Sequence, residues 1–334
     1  MKVLILLSDM PGLDTAAHAE AEVANDIFIT ADAVQQGLAS RGHVVERALI
    51  RKNMLDVLLP YDPREWLVFN LCETLEGEAY REAYVPAVLD VMGYTYTGSN
   101  TRTLYHALNK ARTKQTLVAH GLPTAPFQVF HSPAEPLRVP FPVFVKPVAE
   151  DASYGVNHRS VASNVTELRE QVKFVIDDTE QPALVEEFLG GREFNVALWG
   201  NSPTQVLPLA EIDYSAIPDP FQQIISFATK WDQSDFTYHH TPVTCPAVVD
   251  ESLAERIRHA AREAYRVMGC RDYARVDMRV RGDEPFILEV NPNCGLAPAA
   301  GFSREANAAG YDYAAMAEQI VLFASERMKV NGEQ

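Results

Sequence analysis

Two segments near the end of the chain carry residues that can do chemistry together. Tyr273–Val280 and Glu284–Asn291 read as strands, and Arg281-Gly282-Asp283-Glu284 between them is a turn signal. Side chains alternate faces along a strand. Ala274, Val276 and Met278 therefore share one face, opposite Arg275 and Asp277. In the second strand Phe286, Leu288 and Val290 share a face, opposite Ile287, Glu289 and Asn291. A hairpin centred near Asp283 sets Asp277 across from Glu289 and Arg275 across from Asn291. Directly opposed side chains sit roughly 4.5–5.5 Å apart at Cβ. Two carboxylates at that separation repel unless a proton or cation lies between them. Oxygen ligands from Asp, Glu and Asn suit Mg²⁺, which keeps several waters and bridges to substrate phosphates. Arg275 beside them can stabilise charge developing on a transferred group. A solvated hairpin face explains the same pattern, so geometry alone leaves both readings open.

The elements that must hold these strands fall into successive modules. Over the first hundred residues strand and helix signals alternate. Val3–Leu7, Val44–Ile50 and Trp66–Leu71 read as strands. Ile27, Phe28, Ala31, Val34 and Leu38 lie at helical spacing, Gly42 can stop that helix, and Tyr84–Met92 reads as another. This order implies a parallel α/β sheet, and without a GxGxxG fingerprint a dinucleotide site has little support. One helix is expected near 102–120, ended by Gly121 and Pro123. Strands follow at Phe141–Pro147, Pro182–Leu189, Arg192–Trp199 and Gln205–Ile212, with helices near 164–176, 251–269 and 311–327. Tyr214–Tyr238 has no clean period, as a functional lid would. The expected domains are 1–100, 101–190 and 191–334.

Composition narrows the partners. A net charge of −16 over 334 residues argues against a broad basic patch, hence against nucleic acid or an anionic membrane surface. A phosphate ligand must then meet a few placed cations. Cys72, Cys245, Cys270 and Cys294 form no CxxC pair, so zinc and disulfide frameworks are poorly supported and a reducing cytoplasm fits. No segment approaches the roughly 20 apolar residues of a membrane helix.

Beyond the hairpin, the ordered motifs resemble the ATP-grasp superfamily. Phe286-Ile-Leu-Glu289-Val-Asn291 resembles its metal strand, and Arg275-Val-Asp277 the strand before it. Val143-Phe-Val-Lys146-Pro147 resembles the strand whose lysine binds nucleotide phosphate. Glu150-Asp-Ala-Ser153-Tyr-Gly155 resembles the phosphate loop. Leu184-Val-Glu186-Glu187-Phe-Leu189 resembles the adenine hinge, and Gly191-Arg-Glu193 the strand with the ribose-binding acid. Gly93–Ser99, Leu108-Asn-Lys110, Thr113-Lys114 and Gly121–Pro126 resemble D-alanine–D-alanine ligases, as does Ala228-Thr-Lys230-Trp231 in the active-site loop. The resemblance spans about residues 66–328.

It implies an α/β plus α+β fold: an N-terminal Rossmann-like domain before two lobes that enclose ATP. It implies an ADP-forming ligase that joins a small carboxylate to an amine through an acyl phosphate. Lys110 and Lys146 would meet ATP phosphates, with Ser153 and Gly155 in the backbone cradle. Backbone groups of Glu186, Glu187 and Leu189 would read adenine, so that side-chain identity there matters little, and Glu193 would take the ribose. Lys230 would touch the γ-phosphate. Asp277, Glu289 and Asn291 would hold Mg²⁺, two ions being expected and Mn²⁺ an alternative. Arg275 and the Gly295 backbone would stabilise the oxyanion. A homodimer stays open.

The departures from that family gather on the substrate side. Its His-Gly motif is replaced by Cys72-Glu73-Thr-Leu-Glu76-Gly77-Glu78. Its Ser-Leu pair, which receives the second substrate's carboxylate, falls on Ala300 and Gly301. The N-terminal loop is longer than usual, and the acid for the first substrate's amino group has no clean counterpart, Asp26 and Glu22 being the candidates. Other substrates in specialised metabolism are therefore expected; genuine D-alanine–D-alanine synthesis, a kinase on this fold and an inactive ATP-binding module are the alternatives.

Overall fold

The structure, a computed structural model, describes the backbone of residues 1–8, 18–51 and 53–331, and side chains within these except 18–25 and 329–331. Three sheets organise it. In the first, β1 (Lys2–Ser8) lies between β2 (Val44–Ile50) and β3 (Trp66–Asn70), all parallel. Parallel neighbours need a crossover, and α1 (His18–Ser40) supplies it. Its Ile27, Ala31, Val34 and Leu38 are buried as their spacing requires, whereas Phe28 is exposed. The short α2 (Met54–Leu58) and α3 (Tyr84–Val91) cover the opposite face, with Val85 and Leu89 packed near Leu4, Leu6 and Val68.

The single helix expected over 102–120 is two, α4 (Thr101–Leu108) and α5 (Lys110–Ala119). Asn109 is extended (φ −82°, ψ 97°), and its side chain accepts from the Arg112 N–H, so it ends one helix and caps the next. Next come β4 (Phe127–Phe130), β5 (Val143–Pro147), β6 (Val161–Ala162), α6 (Val165–Thr179) and β7 (Ala183–Glu187). They form an antiparallel sheet in the order β4-β7-β5-β6.

The third sheet is built on β8 (Arg192–Trp199), flanked along one edge by β9 (Gln205–Val206) and β10 (Ala210–Ile212). One strand was expected over Gln205–Ile212; Pro208 has no N–H for the ladder and interrupts it. The irregular stretch holds α7 (Phe227–Trp231) and α8 (Phe236–His239), before β11 (Val243–Thr244) and α9 (Glu251–Met268). The hairpin is β12 (Tyr273–Arg281) and β13 (Glu284–Asn291), in the order β11-β10-β8-β12-β13. A helix that sequence reading missed, α10 (Gly301–Ala308), precedes α11 (Tyr313–Asn331). Met316, Ile320 and Ala324 of α11 return to pack in the core with Val34 and Leu38. No helix among the described residues is long and apolar enough to cross a membrane.

Asp272, fully buried just before β12, ties the modules together. Its carboxylate accepts from the Gly98 N–H at 2.9 Å, Asn201 Nδ2 at 3.1 Å and both Arg327 η-nitrogens at 2.5 and 2.8 Å. Arg327 also donates to the Tyr96 carbonyl. Gly98 (φ +85°) must be glycine here, because a Cβ would come within 2.4 Å of Asn293 Oδ1. Removing one partner of a buried ion pair costs about 3–5 kcal/mol. Asp272→Ala should fall near the lower end, because Arg327 keeps some solvent contact. Urea unfolding reads this directly, and a wild-type midpoint would count against the clamp.

Candidate active site

The hairpin register places Arg275 opposite Asn291 and Asp277 opposite Glu289. The turn itself is tighter than a centre at Asp283 implies: Arg281 pairs with Glu284, around Gly282-Asp283. The register shifts between Asp277 and Met278, leaving Leu288 unpaired as a bulge. That extra residue corrects the expected faces of β13. Ile287 is sealed in the core, whereas Leu288 and Glu289 both open to the cavity.

Asp277 is the most heavily bonded group. Its carboxylate takes a fork from Arg275 at 2.7 and 2.8 Å, Asn195 Nδ2 at 2.8 Å and Asn291 Nδ2 at 3.0 Å. Asn195 lies two residues beyond Glu193 on β8, on the same face, and its role was not read from sequence. Burial works against ionising Glu289, but Lys110, Lys146, Lys230 and Arg275 outweigh it and hold the carboxyl well below the usual range. Burial pushes Asp277 up; Arg275 opposes this and nearby Glu289 adds to it. The donors fit hard-cation chemistry: two carboxylates and one amide converge, with cations beside them for phosphate oxygens. Among the described residues no cluster of three or more His, Cys, Asp or Glu stands ready for a metal. Any Mg²⁺ here would complete its shell with water and phosphate.

These residues line a cavity of about 1060 Å³ between the second and third sheets. The break at Asn109 makes Lys110 the first residue of α5, with its N–H on the Val148 carbonyl and its ammonium on the Glu150 carbonyl. Lys110 Nζ is also 4.0 Å from Glu289. Lys146 projects from β5 to Glu186 at 2.8 Å, and Lys114, which had no assigned role, reaches the same carboxylate at 2.6 Å. Glu186 is therefore no bystander whose side chain matters little. It sits ionised between two ammoniums: burial alone would raise its pKa, but the lysines lower it.

Arg279, also missed, continues the polar alternation of Arg275 and Asp277. It donates to Glu193 at 2.8 Å and to the Leu189 carbonyl at 2.6 Å, and reaches the Gln223 carbonyl. Tyr214 donates to Glu193 at 2.9 Å. Glu187, also on the cavity wall, is paired with Arg281 at 2.6 Å.

The stretch around α7 folds over the loop at 150–156. Phe227 N–H donates to the Val156 carbonyl at 3.1 Å, and Trp231 Nε1 to Ala152 at 3.3 Å. A hydroxyl chain, Ser226–Thr229–Thr237–Asp235, braces α7 and α8. Lys230 thereby opens to the cavity; protein around it and Arg275 lower its pKa, against the pull of Glu289, Asp277 and Asp151. Ser153 lines the cavity, but Gly155 does not. Gly155 (φ +74°) is required because a Cβ would meet the Pro147 ring at 2.5 Å. Gly295 and Cys294 line the wall beyond β13, and burial pushes the Cys294 thiol up to about 12, a poor nucleophile.

At the far end of the cavity lie Asp26, Glu73 and Glu82, with Ala300, Gly301 and Arg304 on α10's first turn. The Glu22 side chain lies outside the described residues. Protein around Glu73, with Asp26 and Asp151, pushes its pKa up to about 7. The Arg304 guanidinium bonds the Ala299 carbonyl and pairs with no acid among the described residues.

Residues 117–322 match the family model described as D-ala D-ala ligase C-terminus. The chain is 35% identical over 312 residues to the protein y4sG of Sinorhizobium fredii, covering 90% of this chain and 89% of the relative. It is 30% identical to a D-alanine–D-alanine ligase of Desulforudis audaxviator, covering 88% and 92%. The solved D-alanine–D-alanine ligase of Bacillus anthracis, complexed with ATP, superposes with a TM-score of 0.76 over 99% of each chain at 19% identity.

The two lysines on Glu186 give a test. Glu186→Ala would strand two ammoniums with at most a tenth of their side chains exposed. Stability should drop by about 3–5 kcal/mol in urea unfolding, with a raised KM for ATP. An unchanged unfolding midpoint would mean that the lysines find another anion.

Proposed function

This chain belongs to the D-alanine–D-alanine ligase family of ATP-grasp enzymes, which are ATP-dependent and ADP-forming, and we propose that it joins an amino-acid-like carboxylate to an amine other than a second D-alanine, in specialised metabolism. The observation that carries the ligase chemistry is the cation-ringed pair of Asp277 and Glu289 on the wall of the cavity.

In this reading Lys110 and Lys146 hold the ATP phosphates, and the Ser153 loop closes over them with backbone N–H groups. Backbone groups between Glu186 and Leu189 take the adenine edge, and Glu193, fixed by Arg279 and Tyr214, accepts from the ribose hydroxyls. Lys230 reaches the γ-phosphate from the lid. Asp277, Glu289 and Asn291 would hold Mg²⁺, which would neutralise phosphate charge. The carboxylate substrate attacks the γ-phosphorus, ADP leaves, and the amine then displaces phosphate from the acyl phosphate. Arg275 and the Gly295 N–H face the oxygen that becomes negative. Such steps depend mostly on positioning and charge neutralisation.

The substrate reading rests on the far end of the cavity. Ala300 offers no hydroxyl where the family pattern has one, and Cys72-Glu73 stands in place of His-Gly. Asp26, Glu73 and Glu82 favour a substrate bearing an ammonium group. Arg304, one turn beyond Ala300, favours an anionic group placed differently from the carboxylate of D-alanine.

Two experiments test this. Glu289→Gln should keep the fold and lose ATP turnover by about 10²–10³ or more; ordinary turnover at millimolar Mg²⁺ removes the metal assignment. With ATP, Mg²⁺ and millimolar D-alanine, mass spectrometry should find little dipeptide. Two lost polar partners at about 1–3 kcal/mol each predict a deficit of about a hundredfold or more. Efficient dipeptide synthesis would make the chain a divergent D-alanine–D-alanine ligase, and ADP release without any amine would make it a kinase.

A further inference from the structure

Glu305, on α10, is fully buried and does not line the cavity. Its Oε2 accepts from the Ala197 N–H at 2.6 Å. That N–H lies on the edge of β8 where partners change: β10 pairs with residues 193–195, β9 with 198–199, and the Ala197 carbonyl is taken by Leu207 N–H. Glu305 therefore fills a gap in the ladder.

Its other oxygen, Oε1, is buried and has no hydrogen-bond donor among the described residues. It borders the small space beside Gly301, where a methyl group would lie 4.0 Å from Glu305 Oε1, 3.9 Å from Asn195 Oδ1 and 3.8 Å from Arg275 Cδ. Two oxygens facing one space repel unless a proton lies between them, and Oε1, unlike the cavity-lining Asn195, is itself shut off from solvent. Asn195 does not supply the proton, because the atom it turns to this space is Oδ1, which carries no hydrogen, while its Nδ2 is turned to Asp277 Oδ1. A carboxylic acid can.

We propose that Glu305 is a positioning residue of the active site, a neutral carboxylic acid whose Oε1–H holds the Asn195 carbonyl so that the Asn195 amide points at Asp277. The chain of bonds then runs Glu305, Asn195, Asp277, Arg275, from the sheet interior to the reacting groups. Burial agrees with it, since it pushes the Glu305 carboxyl well above the usual range. Without that proton the Asn195 amide is free to turn over. Its oxygen would then face the Asp277 carboxylate and disturb the fork from Arg275.

The inference rests on the ligase reading, and its test separates the two. ADP release is measured with the pair of amino acids that gives wild type its highest turnover in a screen of pairs, and ATP affinity by calorimetry. Glu305→Gln keeps a donor and an acceptor and should hold kcat within about threefold of wild type. Glu305→Leu keeps the volume but no donor, and should lower kcat by about 10–100-fold with little change in ATP affinity. Asn195→Ala should reproduce that loss, and adding Glu305→Leu to it should cost little more. Wild-type turnover in Asn195→Ala overturns the proposal whether or not the leucine variant folds. So does a glutamine variant as impaired as leucine. If no pair of amino acids supports turnover by wild type, both readings fall; if turnover is indifferent to residue 305, only this one does.

Discussion

Two carboxylates cannot share the edge of a protein interior without a reason, and the repulsion between Asp277 and Glu289 organises much of what surrounds them. Each unit of like charge brought together in a medium of reduced dielectric costs more than it would in water. The fold answers with cations drawn from separate elements. Arg275 comes from the same strand, Lys110 from the broken helix pair, Lys146 from the second sheet and Lys230 from the lid. The carboxylate pair therefore draws together parts of the chain far apart in sequence. A nucleotide entering there would meet a field that is already assembled, with little reorganisation left for the reaction itself.

The same logic repeats one step further out. Lys146 and Lys114 would repel each other without Glu186, and Arg279 would be an isolated buried charge without Glu193. Each cation near the phosphate end thus has an anion that fixes its direction. Lys230 differs, because it sits on a short helix held by hydroxyl contacts to the lid. Its position is therefore set by the packing of α7 against α8 and the loop at 150–156.

Much of this was legible from residue order. Period-two alternation placed Arg275 and Asp277 on one face, and the opposed pairs of the hairpin followed from a turn near Asp283. The expectation survived for a reason that the alternation did not contain: a bulge at Leu288 offset a turn half a residue away from that centre. The same bulge moved Ile287 to the core, which no alternation rule anticipates. Lys114 and Arg279 were visible as residues but not as partners, because their anions come from strands distant in sequence. Asn109 has the chemistry of a helix cap, yet a helical period running through it hid the break that aims Lys110. The helix α10 went unread, and with it the difference between Arg304 and Glu305, neighbours of like solubility of which one opens to the cavity and the other is sealed beneath it.

That difference bears on how such a site changes its substrate. The residues around Asp277, Glu289 and Arg275 are bound to one another by charge, so altering one leaves others unpaired in the interior, at a cost of several kcal/mol on the order of 3–5. Among the described residues the far end of the cavity has no such network. Glu73 and Arg304 lack an acid or base partner among the described residues and face open space. Replacing either removes no buried pair and costs the fold little. Selectivity can therefore drift at α10 and at the 72–78 loop while the phosphate machinery stays locked, and departures from the family pattern accumulate where they are physically cheap. Glu305 marks the boundary between the two regions: it shares a helix with Arg304, but its side chain belongs to the network that cannot move.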